Sequence, residues 1–221
     1  MYYILAILGF VIVIFAQFKI NYSYSKYKAI ENKTGLTGAD IARKILDDNG
    51  LNNILVSKVS GDLTDHYDPK KKVVNLSTDI YSGKTIAAIS VAAHEVGHAI
   101  QDKDGYSFMR IRSFLVPFVN LVSYLGYFGL FISIFAGLTG YIKVSIIVIL
   151  ATILFQLVTL PVEFNASSRA KKQLLKLNVV DKQELKGVNK MLSAAAFTYV
   201  ASLISNLLQL LRLVLILKDN D

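Results

Sequence analysis

The sequence predicts a mainly α, multi-pass membrane protein with about four transmembrane helices, and three observations carry that expectation. The chain of 221 residues is 53% hydrophobic and only 18% charged, poor in charge for a soluble globular domain of its length. Its apolar residues are gathered into blocks of spanning length. Its net charge of +8 comes from lysines and arginines clustered beside those blocks, where they act as topology signals. No aromatic-and-basic recognition motif accompanies the charge, which argues against nucleic acid as a partner. The absence of cysteine removes disulfides and thiolate metal ligands. Polar stretches at 21–112 and 163–193 are each at or below the usual domain size of about 100 residues. One membrane-embedded unit over 1–221 is therefore expected.

The first block, "YYILAILGFVIVIFAQF" (2–18), has no positive residue before it and no small-x-small cleavage site after it. It is expected to be an uncleaved anchor. "TGLTGADIARKILDDNGL" (34–51) reads as a short helix that Thr37 caps, with Ile41 and Ile45 on one face and Gly50 placed to stop it. "ILVSKVS" (54–60) and "KVVNLS" (72–77) read as two strands of a short hairpin, separated by a polar loop holding "DHYDPKKK". An exposed edge of that hairpin is a candidate for pairing with an extended peptide. Ser77 or Thr78 is expected to cap the helix that follows.

Two more spans are expected at 114–137 and 141–160, joined by a glycine turn in "GLTGYIK". The last block, 194–217, carries Asn206, Gln209 and Arg212 at helical spacing. It reads as a span with an inward polar stripe, the alternative being an interfacial amphipathic helix. With these spans, Lys19, Lys26, Lys28, Lys33, Lys103, Arg110, Arg112 and the basic residues of 169–190 share one side, against Lys143 and Lys218. Positive charge favours the cytoplasmic face, so both polar stretches are expected there, at the cell membrane.

"VAAHEVGHAIQ" (91–101) is the chemically loaded stretch. Residues four apart share a helical face, so His94 and His98 can address one metal, and Glu95 sits beside it as a candidate base for its water. Three candidates exist for a third ligand. Asp104 stands where a metzincin pattern would end, but Gln101 occupies the place of the turning glycine. His66 in "DHYDP" is the third histidine, more plausible in substrate binding or transition-state contact than as a ligand. The strongest is Glu163 in "LPVEFNASSRAKKQLL", expected in the first turn of a helix started by Pro161. A plain helix-N-terminal glutamate, favoured by the macrodipole, is its bland reading. Ala166, Ser167 and Ala170 form a small-residue face that permits close approach to the motif helix. Two crossings separate His98 from Glu163, which returns both to one side. Tyr199 in "LSAAAFTYVA" is a further candidate for an oxyanion contact, with packing the commoner role for such a residue.

"DHYDP", the motif helix, "PVEFNAS" and "LSAAAFTYVA" together resemble the YugP-like family of bacterial membrane zinc metallopeptidases, over most of the chain. More distantly the arrangement resembles gluzincins of the HtpX and CAAX-prenyl-protease type. The resemblance implies a zincin-like active helix, Zn2+ as cofactor, His94, His98 and Glu163 as ligands and Glu95 as general base. HtpX-type enzymes carry an aspartate four residues after the ligand glutamate; here Ser167 stands in that place, and Asn165 is a candidate for the missing hydrogen bond. The expected activity is endopeptidase cleavage of peptides or membrane-protein segments. A site-2-type intramembrane protease fits less well, because Lys84, Asp102 and Lys103 flank the motif helix. The non-enzymatic alternative is a membrane scaffold or assembly factor with a structural zinc. The sequence leaves oligomeric state open.

Overall fold

The computed structural model describes residues 2–61, 63–136 and 141–219. Seven helices and one small sheet follow in the order α1 (Tyr2–Lys28), α2 (Gly38–Asp48), β1 (Leu55–Val59), β2 (His66–Asp68), β3 (Val73–Ser77), α3 (Thr78–Ser82), α4 (Ile86–Lys103), α5 (Ser107–Ala136), α6 (Tyr141–Lys176) and α7 (Lys182–Asp219). Contacts divide the chain into two units. One comprises Met1–Gln17, Ser107–Pro161 and Phe197–Asp221; the other comprises Phe18–Tyr106 and Val162–Ala196.

The first unit is helical and apolar. Four helices are long and apolar enough to cross a membrane, within Tyr2–Lys28, Ser107–Gly126, Ile142–Lys176 and Lys182–Asp219, and the protein is a multi-pass membrane protein. Phe10, Phe114, Leu154 and Leu207 stand exposed on their surfaces, as suits side chains whose solvent is lipid. Small residues let backbones approach: a Cβ on Gly9 would meet the Ser205 hydroxyl at 2.9 Å. The rings of Phe15 and Phe197 meet edge-on at 6.1 Å. The polar stripe of the last block is paired inside this unit. Asn206 donates to Gln156 of α6 at 3.0 Å and Arg212 donates to Gln209 at 3.2 Å. The glycine turn expected in "GLTGYIK" falls on 137–140, outside the described residues, with α6 running from Tyr141.

The second unit holds the sheet and the short helices. Thr37 caps α2 in a reciprocal capping box, accepting from the Asp40 amide while Asp40 accepts from the Thr37 amide at 2.9 Å. Ile41, Ile45 and Leu46 are fully buried, on the face that α2 packs against α4. Gly50 ends the helix at φ 66, a left-handed conformation that glycine adopts without penalty.

Three expectations for the elements are corrected. Segments 54–60 and 72–77 do not form the hairpin: β1 and β3 run parallel, and the sheet order is β1-β3-β2. The hairpin is β2–β3, with Tyr67 opposite Val74. Its turn is held by Asp68, which accepts from the amides of Lys70 and Lys71 at 2.9 and 3.0 Å. The long connection from β1 leaves room for β2 to take the other flank of β3. Ser77 does not cap the motif helix, because the Asp65 carboxylate takes both its amide and its hydroxyl. It precedes the five-residue α3, which ends at Gly83, and Thr85 caps α4 by accepting from the Ala88 amide at 3.2 Å. Nor does Pro161 begin a helix. It lies inside α6, where it removes one backbone hydrogen bond without breaking the rod, a concession tolerated in membrane helices. Glu163 is therefore a mid-helix residue, and the macrodipole account of it falls.

Candidate metal centre

Helix α4 is built to be buried. Ala88, Ala92, Ala93, Val96 and Ala99 have almost no exposure, and this small-residue surface lets α2 and the α6 segment after Pro161 close around it. The tightest approach is at Gly97, where a Cβ would lie 2.6 Å from the Ala166 carbonyl oxygen. Any other residue would force the two backbones apart. Because α6 is held this close, Glu163, one turn before Ala166, reaches the face of α4 that carries the histidines.

His94 Nε2 lies 3.2 Å and His98 Nε2 3.7 Å from Glu163 Oε2. The imidazole rings meet at 83°. Among the described residues these three form a group able to hold a metal ion, with ligand atoms within 4.8 Å of one another. Zinc bonded at about 2.0–2.1 Å spaces tetrahedral ligand atoms roughly 3.3–3.4 Å apart, and the two nitrogen–oxygen separations straddle that value. The donor set of two imidazoles and one carboxylate suits zinc. The residues present thus fit the ion. Glu163 and His98 are only 3% and 7% exposed, so an ion there would act in a medium of low dielectric.

Both histidines are braced on their far nitrogens. His94 Nδ1 is 3.1 Å from the Ser167 hydroxyl, so Ser167 itself makes the contact that the resemblance assigns to an aspartate. His98 Nδ1 is 3.0 Å from Gln101 Oε1. Asn165, the other candidate, touches neither ring; it accepts from Gln101 at 3.0 Å and from Arg169 at 2.7 Å. Burial disfavours charge on His98, but its hydrogen bond to Glu163 and the charges of Glu95 and Glu163 prevail and raise its pKa.

Glu95 is 8% exposed and follows the first histidine on the same helix. Burial raises the pKa of Asp65 against the hydrogen bonds from Ser77, and the charge of Glu95 adds to the rise. The β2–β3 hairpin is pinned to α4 through Asp102, which accepts from the Tyr67 hydroxyl at 2.8 Å and from Lys72 at 2.6 Å.

The other candidates are not members of this group. Asp104 ends α4 and pairs with Arg169. His66 is exposed on β2, with Nδ1 2.8 Å from the Thr64 carbonyl oxygen and Nε2 3.1 Å from the Asn75 amide. Tyr199 belongs to the other unit and is 38% exposed. Gln101 is the residue that sequence reasoning passed over. Its signal was its place three residues after His98, on the same helical face.

Residues 2–218 match the family described as "Putative neutral zinc metallopeptidase". The chain is 47% identical to "Putative membrane protease YugP" of Bacillus subtilis (strain 168) over 201 residues, 91% of this chain and 89% of that protein. No solved structure matches it.

Proposed function

Because the chain belongs to the neutral zinc metallopeptidase family, we propose that it is a membrane-bound zinc endopeptidase with His94, His98 and Glu163 as ligands. One observation carries the reading. The Glu163 carboxylate of α6 faces both histidine nitrogens of α4, with Glu95 buried beside them. Zinc held there would supply Lewis acidity for a water and for the scissile carbonyl. Glu95 would take a proton from the water as its oxygen bonds to the carbonyl carbon, and would pass that proton to the leaving amine as the C–N bond breaks.

β3 is the central strand, so backbone pairing with an extended peptide falls to an edge, and β2 is the edge strand packed on α4. The membrane-spanning helix α6, which carries Glu163, favours substrates presented at a membrane, such as tails or loops of membrane proteins. The charge bias of the flanking segments supports a cytoplasmic site. A structural zinc usually has a fourth protein ligand; the group here has three among the described residues, which favours catalysis over a scaffold.

The test is zinc per chain and turnover of unfolded and membrane-anchored peptides by purified variants. Glu95→Gln should keep zinc and lose at least about a hundredfold in turnover. Glu163→Ala should lose zinc, and Asp104→Ala should keep it. Equal turnover by Glu95→Gln overturns the mechanism.

A further inference from the structure

We propose that Gln101 is a positioning residue for the metal centre: its side-chain oxygen keeps a proton on His98 Nδ1, so that Nε2 presents a lone pair towards Glu163. The inference rests on the ligand assignment above for its purpose, but its geometry stands on Gln101 alone.

The argument uses only what can donate and what can accept. Gln101 has no exposed surface, so its amide must find its partners within the protein. Its nitrogen lies 2.8 Å from the Val162 backbone carbonyl oxygen, which can only accept. It also lies 3.0 Å from Asn165 Oδ1. That atom in turn accepts from Arg169 Nε at 2.7 Å, and a guanidinium can only donate. The Asn165 atom is therefore the oxygen, and the Gln101 atom facing it and Val162 is the NH2. Both amide protons are spent. The remaining atom, Oε1, faces His98 Nδ1 at 3.0 Å and can only accept, so Nδ1 carries the hydrogen. A neutral His98 then has its bare nitrogen at Nε2, the atom on the Glu163 side.

His94 differs. Its Nδ1 partner is the Ser167 hydroxyl at 3.1 Å, which can donate or accept and so does not decide the tautomer. The chain thus fixes one ligand through a rigid amide and leaves the other to a rotating hydroxyl. The fixing chain, Gln101 to Asn165 to Arg169, anchors on the α6 segment that carries Glu163. The residue that orients His98 is therefore held by the helix that supplies the third ligand.

The first experiment reads the tautomer in zinc-free protein at alkaline pH, by two-bond proton–nitrogen spectra of protein labelled at its three histidines, with His98→Gln giving the assignment. His98 should be the Nδ1–H form. An Nε2–H His98 in the wild type overturns the inference, whether or not any variant folds. The second experiment measures zinc affinity by chelator competition. Gln101→Leu, which removes the acceptor, should bind zinc about 10–100-fold more weakly, the usual loss when such a partner is removed. Gln101→Glu keeps an acceptor for His98 but sets an oxygen against the Val162 and Asn165 oxygens, and should lose less affinity than Gln101→Leu. If Glu loses as much as Leu, the residue merely ties α4 to α6; if Leu loses nothing, it does not position the ligand. A wild type that binds no zinc but shows the Nδ1–H tautomer defeats the proposed function and leaves this inference standing.

Discussion

At Gly97, a single missing methyl group decides how near the helices that carry the candidate ligands can come. The 2.6 Å contact that a Cβ would make is with a backbone oxygen, which cannot swing aside as a flexible side chain would. Gly97→Ala is therefore expected to cost about 1–3 kcal/mol in stability, as overpacking does. It should also weaken zinc binding by displacing Glu163 from the histidines. Thermal unfolding and chelator competition on one purified variant check both effects, and loss of stability with unchanged metal affinity would show that α6 yields elsewhere. The histidines and Glu95 were legible at this scale because four-residue spacing is a property of one helix. Glu163 was legible as a candidate by residue type and by an even number of crossings. Gln101 was not read out, because its place three residues after His98 gains meaning only from Val162 and Asn165, which belong to a helix two spans further along.

Among the elements, the reading succeeded where the signal was local. Thr37 and Asp40 declare the start of α2 within four residues, and Thr37→Ala should cost about 1 kcal/mol. The Thr37 hydroxyl and amide, both bonded to the Asp40 carboxylate, lower its pKa. A depressed carboxyl pKa gives stability that is present above the unfolded value of about 3.9 and is lost as pH falls through the folded value. The protection factors of the α2 amides, corrected for the intrinsic pH dependence of exchange, should accordingly fall as the pH drops below about 4, and Thr37→Ala should flatten that dependence. Where partners are distant the reading failed. "HYD" is too short and polar to announce β2, which exists because β3 offers it an edge. Proline at 161 marks a helix start under the rules for water-exposed helices. In a bilayer, an interrupted backbone has no water to satisfy it, and the continuous rod wins.

For the molecule as a whole, composition was the most informative quantity. Blocks of apolar residues foretold a multi-pass protein, and the four candidate spans bear that out. Orientation is argued from charge alone: a reporter fused after Lys33 should be active only as a cytoplasmic protein, and one inserted near Lys143 only outside. The reverse pattern would place the metal centre on the outer face.

The unbroken course of α6 from Tyr141 to Lys176 also sets an order of events during biosynthesis. The ribosome delivers His94, Glu95 and His98 well before Glu163, with α5 and most of α6 made in between. A nascent chain therefore carries His94, Glu95 and His98 while lacking Glu163 and the partners of Gln101. Glu163 and Val162 become available only after the hydrophobic half of their own helix has been handed to the insertion machinery. The group of His94, His98 and Glu163 is therefore complete only once α6 has been made, so whatever the group binds is bound after the chain has entered the membrane.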